Sequence, residues 1–267
     1  MKSTVEYNGN RDVLLSAPVP KQTKTYKPVT HDELMTLTLE SIHQAGFKLE
    51  HERYSWVGDG QIATGRYIIS NVADSEMQLQ IAWQNSYNKQ VSLKFAIGVQ
   101  VMVCQNGCVS GDFGAFKKKH VGEIQTFTPG AIIDYIKSAG ETFTLMQKQR
   151  EQMKQIEITR RTKAELIGRM MIEEQFIAST QLNIIQRELQ SPTHDYNAKD
   201  SLWELYNYTT FAMKETHPAQ WMDRHIKAHK FFNDYVYDQT APWEAETWNL
   251  PGEEEAAGNA LNQLTIF

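Results

Sequence analysis

Strict alternation of apolar and polar residues limits what the middle of this chain can form. Apolar side chains occupy every second position of 77–83, and the stretch 91–104 keeps six alternate apolar residues on one face. Because side chains in a β-strand point to opposite faces in turn, this period of two predicts strands that bury one face. Turn residues separate these stretches from similar ones at 48–57, 61–71 and 108–113. We predict a sheet of about five strands, mostly antiparallel, joined by short turns.

Helical patterns flank the predicted sheet. Thr30 and Glu33 form a capping box before an apolar stripe that ends at Gly46, which predicts an N-terminal helix. After the sheet, Thr128-Pro129 has the form of an N-cap followed by proline at the first helical position. Thr162 and Ser201 are further N-cap candidates, Gln181–Leu189 is predicted to be helical, and Pro218 is predicted to open a last helix that runs to about Val236.

The order of helix, sheet and helices places the chain in the α+β class. Four segments are predicted: an irregular N-terminal arm (1–29), a helix plus antiparallel sheet (30–127), a helical region packed on that sheet (128–237) and an extended acidic tail (238–267).

Composition narrows the environment in which the protein works. No apolar run approaches the 18 residues of a membrane span, and residues 1–10 lack the apolar core of a secretory signal. Two cysteines among 267 residues suit a reducing compartment. We expect a protein of a reducing cytoplasm with no membrane contact.

Charge is unevenly distributed along the chain. The net charge is −5, yet residues 117–169 carry eleven Lys or Arg against six Asp or Glu, and residues 238–267 carry six Asp or Glu and no Lys or Arg. A basic middle with an acidic tail recurs in proteins that handle nucleic acids. The alternative interpretation is a solvated helix face with a solubilising tail.

A short basic run lies beside aromatic residues in this middle segment. Proteins bind single strands through cations that follow the phosphate backbone and aromatic rings that stack on the bases. The alternative interpretation of this run is a solvated loop. The predicted nucleic-acid contacts are Lys117, Lys118, Lys119, His120, Arg160, Arg161 and Lys163.

The dipeptide Asn106-Gly107 predicts a two-residue type I′ hairpin turn with both residues at positive φ. This turn would pair Cys104 with Val109, and Cys108 with Gln105, so the two cysteines would point to opposite faces of the sheet. The C-x3-C spacing has two interpretations, a pair of buried thiols and a zinc site, and we favour the buried thiols.

No motif predicts a catalytic centre or a cofactor. His225 and His229 have the i, i+4 spacing of metal ligands, but Trp221 and Phe232 share their helical stripe, which favours aromatic packing. The chain has no nucleophile elbow and no phosphate-binding loop. We predict no catalytic residues, no metal and no cofactor.

Three motifs resemble those of the phage/plasmid-like protein family, domain of unknown function 932. They are an N-S-x-D-x-S step, an apolar strand ending in glycine followed by a V-C-x-N-G hairpin, and a W-x-x-Y-N-x-x-T helix. The resemblance covers about residues 30–236. The matching residues are Asn85, Ser86, Tyr87, Cys104, Asn106, Gly107, Trp203, Tyr206 and Asn207. One position differs, because this chain has Asn88 where the family usually has Asp. The resemblance implies a mobile-element protein and brings no catalytic residues with it.

Two functions are expected from these patterns. The first is a non-enzymatic accessory protein that binds single-stranded DNA in recombination or other DNA metabolism of a mobile element, as a homo-oligomer. The alternative is a protein-binding module, such as a phage antagonist of a host defence factor. The tail ends in Leu264-Thr265-Ile266-Phe267, and its possible roles are solubilisation, docking on the protein itself and recruitment of a host or phage protein.

Overall fold

The computed structural model describes residues 11–24, 26–70, 74–109, 116–118 and 129–240. It confirms the α+β class, with an N-terminal helix, a mostly antiparallel sheet and then helices. The elements are α1 (Asp12–Ser16), α2 (His31–Gln44), β1 (Leu49–Val57), β2 (Ile62–Ile69), β3 (Met77–Ser86), β4 (Leu93–Val101), β5 (Asn106–Val109), β6 (Phe116–Lys118), α3 (Pro129–Lys137), α4 (Ala139–Gln155), α5 (Arg160–Ile172), α6 (Ser179–Gln190), α7 (Leu202–Ala212) and α8 (Pro218–Thr240). The acidic tail beyond Thr240 lies outside the described residues.

Local capping determines where several helices begin. Thr30 accepts a hydrogen bond from the Glu33 backbone, and Glu33 returns one to the Thr30 backbone, so the predicted capping box of α2 is confirmed. Ser201 is the N-cap of α7, and its side chain accepts a hydrogen bond from the backbone N–H of Glu204. The prediction for α5 was three residues late, because Thr159 is the cap and accepts from the backbone N–H of Thr162.

The segment predicted as an irregular arm is partly helical. α1 lies within it and buries Leu14, and the Tyr26 side chain is also buried. Arg11 donates to Glu52 of β1 at 2.9 Å. The α1 end of this segment is therefore attached to β1, whereas the side chains of 21–24 are exposed.

The strands β1 to β5 pair in chain order, each antiparallel to the next, and β6 pairs with the other end of β4. One face carries the apolar side chains that the alternation predicted, and α2, α4 and α7 contribute to the main core on that side. The opposite face carries mostly polar and small residues, including Arg66, Gln80, Gln84 and Lys94. The first half of α8 covers part of this polar face, with Trp221 and Met222 against Ala82, Ala96 and Val109.

The predicted Asn106-Gly107 turn is wrong. β4 and β5 pair Val101 with Asn106 and Val99 with Cys108, so the turn spans residues 102–105. Positive φ is found at Gln105 (54°) and at neither Asn106 nor Gly107. Tertiary contacts account for the shift, because Asn106 Nδ2 donates to the Asn207 carbonyl and to Thr210 Oγ1, both at 3.2 Å.

The changed register also corrects the placement of the cysteines. Cys104 lies in the turn, Cys108 lies in β5, and both are buried in the main core rather than on opposite faces. Both are free thiols. Burial raises the pKa of Cys108 to about 12 and raises that of Cys104, so neither is a thiolate at neutral pH.

Candidate anion-binding cleft

A cleft of about 370 Å³ opens where the polar face of the sheet meets the end of α7 and the start of α8. Residues from several elements line it: strands β1 and β2, the turn between β4 and β5 with the start of β5, and the segment 210–225. Its lining residues, which define the cleft from here on, are Arg53, Arg66, Gln105, Gly107, Thr210, Lys214, Glu215, Trp221 and His225.

Two arginines face each other directly in this cleft. Arg53 of β1 and Arg66 of β2 are register partners, and like charges in directly opposed positions of an antiparallel pair destabilise it. Arg53 donates to the neutral Gln105 Oε1 at 3.0 Å, and the Arg66 guanidinium lies 5.4 Å from the Trp221 ring centroid. A bound anion would relieve the repulsion between the two guanidinium groups.

Lys214 brings a third cation to the same place. Its ammonium donates to the Cys104 carbonyl oxygen, which holds the side chain over the β4–β5 turn. Burial lowers the pKa of Lys214, and the positive charges of Arg53 and Arg66 act in the same direction. Of the nine described residues that line the cleft, Glu215 alone carries a carboxylate, and it is exposed. The described lining is therefore electropositive.

The floor of the cleft has hydrogen-bonding capacity that the described protein atoms leave unused. His225 is 2% exposed, and neither of its ring nitrogens has a partner among the described residues. Burial, with a contribution from Arg66, lowers the pKa of His225 to about 3, so the ring is neutral at pH 7 and offers one donor and one acceptor.

Gln80 adds a second unpaired group behind Gly107. Its Nε2 has no partner among the described residues, and the side chain is 1% exposed. A Cβ added to Gly107 would lie 2.9 Å from Gln80 Oε1 and 3.1 Å from Nε2. The absence of a side chain at position 107 therefore leaves the Gln80 amide next to the cleft.

The predicted nucleic-acid contacts whose side chains the structure describes, Arg160, Arg161 and Lys163, are not among the residues that line this cleft. Arg160 and Arg161 are exposed in the first turn of α5. Lys163 is 8% exposed and pairs with Asp200 at 2.8 Å and Glu204 at 3.1 Å, so its charge is already neutralised within the protein. The backbones of Lys117 and Lys118 form part of β6, whereas Lys119 and His120 lie outside the described residues.

Most other cations of the basic middle that the structure describes are also neutralised. Arg150 pairs with Asp74 at 2.8 Å, Lys154 with Glu76 at 2.7 Å and Arg169 with Glu173 at 3.1 Å. The charge excess of this segment is consequently a poor guide to the protein's cationic surface. The cleft gathers its cations from positions 53, 66 and 214, which linear charge counting could not connect.

The residues that carry the family resemblance form a buried scaffold beside the cleft. Asn106 of the hairpin binds the α7 backbone at Asn207, as described above, and Asn207 Nδ2 donates to the Trp203 carbonyl at 2.9 Å. Tyr206 stacks on Trp203 and lies 3.0 Å, oxygen to Nδ1, from His229. Gly107 is the one motif residue that lines the cleft itself.

Asn85, Ser86 and Tyr87, which match the N-S-x-D-x-S motif, also make structural contacts, at the end of β3 and just after it. Asn85 Nδ2 donates to the Val29 carbonyl at 2.9 Å, and Ser86 Oγ donates to the Val91 carbonyl at 2.8 Å. Tyr87 stacks on His31, with ring centroids 4.1 Å apart. These contacts fix the chain before α2 and the turn after β3.

His225 and His229 are both buried among aromatic rings, as the stripe predicted: His225 contacts Trp221, and His229 contacts Tyr206. Within the described ranges no group of three or more His, Cys, Asp or Glu side chains is arranged to hold a metal ion. Over the same ranges no helix combines the length and apolar composition needed to cross a bilayer.

Comparison with known proteins identifies the family of this chain but assigns it no activity. No curated protein and no solved structure matches the chain. One family model, described as a domain of unknown function (DUF932), matches residues 21–235, which include the hairpin, the α7 motif and every residue of the cleft. The predicted membership is confirmed: the chain belongs to the DUF932 family.

Proposed function

We propose that the protein is a non-enzymatic accessory protein of a phage or plasmid that binds single-stranded DNA in the bacterial cytoplasm, acting as a homo-oligomer. The observation that carries the binding proposal is the convergence of Arg53, Arg66 and Lys214 in one cleft, whose described lining includes a single, exposed carboxylate. Guanidinium groups bind phosphate through paired, charge-assisted hydrogen bonds. A backbone phosphate in the cleft would offset the repulsion between the opposed arginines.

The dimensions of the cleft favour a single strand over a duplex. A cavity of about 370 Å³ accepts one phosphate with its attached sugar and base, and a double helix is far too wide to enter it. Arg160 and Arg161, exposed on α5, are proposed as additional contacts along the strand. Such a surface binds through charge and tolerates many sequences.

Replacing two cleft cations tests this function. The Arg53→Gln/Lys214→Gln double variant is expected to bind a fluorescent single-stranded oligonucleotide about 100-fold more weakly or worse, because each lost charged hydrogen bond contributes about 1.5–3 kcal/mol. The slope of log affinity against log salt should become shallower by about 1.4, since each phosphate contact contributes about 0.7. Fluorescence anisotropy over a salt series measures both quantities.

The matched control is Lys227→Gln, which removes an exposed cation of α8 that is not among the cleft residues. It should change affinity little. Wild-type binding that is independent of salt, or equal losses in the control and the double variant, would refute the proposed role of the cleft.

A second candidate function, protein binding, is supported by a groove between α5 and α6. This groove has a volume of about 900 Å³, and apolar residues such as Ile167, Met171 and Leu182 line it. Ile172 at its edge is 74% exposed. A pull-down from infected cells, with and without nuclease, separates the two functions: nucleic acid in the eluate supports the first, and one stoichiometric host protein supports the second.

A further inference from the structure

The chemistry of the cleft changes from its rim to its floor. The rim carries the three positive charges. Beneath it are two neutral groups, called the floor here: the His225 ring, which lines the cleft, and the Gln80 amide, which lies behind Gly107 and is not itself a lining residue. Burying hydrogen-bonding groups without partners is unfavourable, so two such side chains at one place need an explanation. A cationic rim alone would bind any small phosphate; the floor is suited to a second, uncharged part of the ligand.

The edges of nucleobases match such a floor. They present hydrogen-bond donors and acceptors without formal charge. The neutral imidazole offers one of each, and the amide of Gln80 has an unused donor at Nε2. Ligand pockets begin at about 300 Å³, and the cleft, at about 370 Å³, is large enough for one nucleotide.

We infer that the cleft binds one nucleotide unit, with its phosphate against Arg53, Arg66 and Lys214 and its base edge against His225 and Gln80. This inference rests on the proposed single-strand binding and adds the class of ligand that the cleft recognises. An unstacked base of the strand enters the cleft while its phosphate stays at the rim. The same site accepts a free nucleoside monophosphate, because the contacts involve one unit only.

The decisive variant is His225→Phe. It keeps an aromatic ring beside Trp221, whose centroid lies 4.7 Å from that of His225, and removes the two ring nitrogens. Since these nitrogens have no partner among the described residues, the free protein should melt at the same temperature as the wild type or higher. Gln80→Met removes the second floor group in the same way and serves if the first variant fails to fold.

The experiment measures binding of the four nucleoside 5′-monophosphates and of inorganic phosphate by calorimetry. For the wild type we expect at least one monophosphate to bind about tenfold more tightly than inorganic phosphate, through one or two base hydrogen bonds. His225→Phe and Gln80→Met should each remove most of this difference and leave the affinity for inorganic phosphate unchanged. Arg53→Gln/Lys214→Gln should weaken both ligands.

Several outcomes would overturn the inference. Equal affinity of the wild type for monophosphates and inorganic phosphate would show that the floor does not contact the base, as would unchanged nucleotide binding by both floor variants. If an oligonucleotide still binds in a way that depends on Arg53 and Lys214, the proposed function survives and only the nucleotide site is lost. If neither oligonucleotide nor nucleotide binds, both proposals fail.

Discussion

At pH 5 the free energy of unfolding is expected to be about 6 kcal/mol lower than at pH 7, through three buried histidines. Burial lowers the pKa of His31 to about 4, of His225 to about 3 and of His229 to about 4, against a usual value of 6.5. A depressed histidine pKa means that the unfolded chain binds the proton more tightly. The stabilisation is therefore complete above pH 6.5 and is lost as the pH falls towards 4, by about 2 kcal/mol per ring at pH 5.

The hydrogen bonds of two of these rings agree with the neutral form. His31 Nε2 lies 2.8 Å from the Gly60 carbonyl, and its Nδ1 lies 3.2 Å from the amide nitrogen of Asn85, an arrangement in which Nε2 alone carries a proton. His229 lies between Tyr206 and Asn233, each at 3.0 Å.

Urea denaturation at a series of pH values measures this loss. His225→Phe should remove about one third of it, and an exposed histidine variant, His51→Gln, should leave it unchanged. A free energy of unfolding that stays constant between pH 7 and pH 5 would mean that these rings are accessible to water and bind protons equally well in the folded and unfolded chains.

Gly98→Ala is expected to destabilise the protein by about 3 kcal/mol, the upper end for overpacking a tight site. A Cβ at position 98 would lie 1.9 Å from the Cys108 carbonyl oxygen and 2.6 Å from the Val109 Cα. Both obstacles are backbone atoms of the paired strand β5, so they cannot move aside as a flexible side chain could. The change would push β5 away from β4 and with it the turn that holds Gln105 and Lys214 against the cleft.

Gly168→Ala in α5 is the matched control, because nothing lies within 4 Å of the Cβ it would add. It should stabilise the protein by up to about 1 kcal/mol through helix propensity. Chemical denaturation of both variants tests the pair. A Gly98→Ala protein as stable as the wild type would show that β4 and β5 are further apart than described.

The sheet was predictable from sequence because one of its faces enters an apolar core, which leaves a period of two in the chain. The position of the hairpin turn was not predictable. Asn106-Gly107 locally favours a two-residue turn, but the contacts of Asn106 with Asn207 and Thr210 override this preference. The cleft was also missed. Finding it requires the register that sets Arg53 opposite Arg66, and the end of α7 that brings Lys214 beside them.

One signal for the cleft was nevertheless present in the sequence. The alternation of β3 places Gln78, Gln80 and Gln84 on the face opposite its apolar residues. In the structure both Gln80 and Gln84 are buried, and Gln84 Nε2 donates to the carbonyl of Pro218 at the start of α8. A helix with aromatic residues on one stripe, predicted to pack on the sheet, could have indicated that the polar face is covered.

The two halves of α8 are attached to the protein by different kinds of contact. Phe231, Phe232 and Val236 belong to the main apolar core, whereas the first half meets the polar face through a small apolar cluster and the ion pair between Lys94 and Asp223. Local opening costs least where few apolar contacts must be broken. The first half of α8 is thus expected to open at a lower free energy than the second half, which stays anchored in the main core. Because Trp221 and His225 lie in the first half, such an opening would remove two lining residues from the cleft and expose the rest of it.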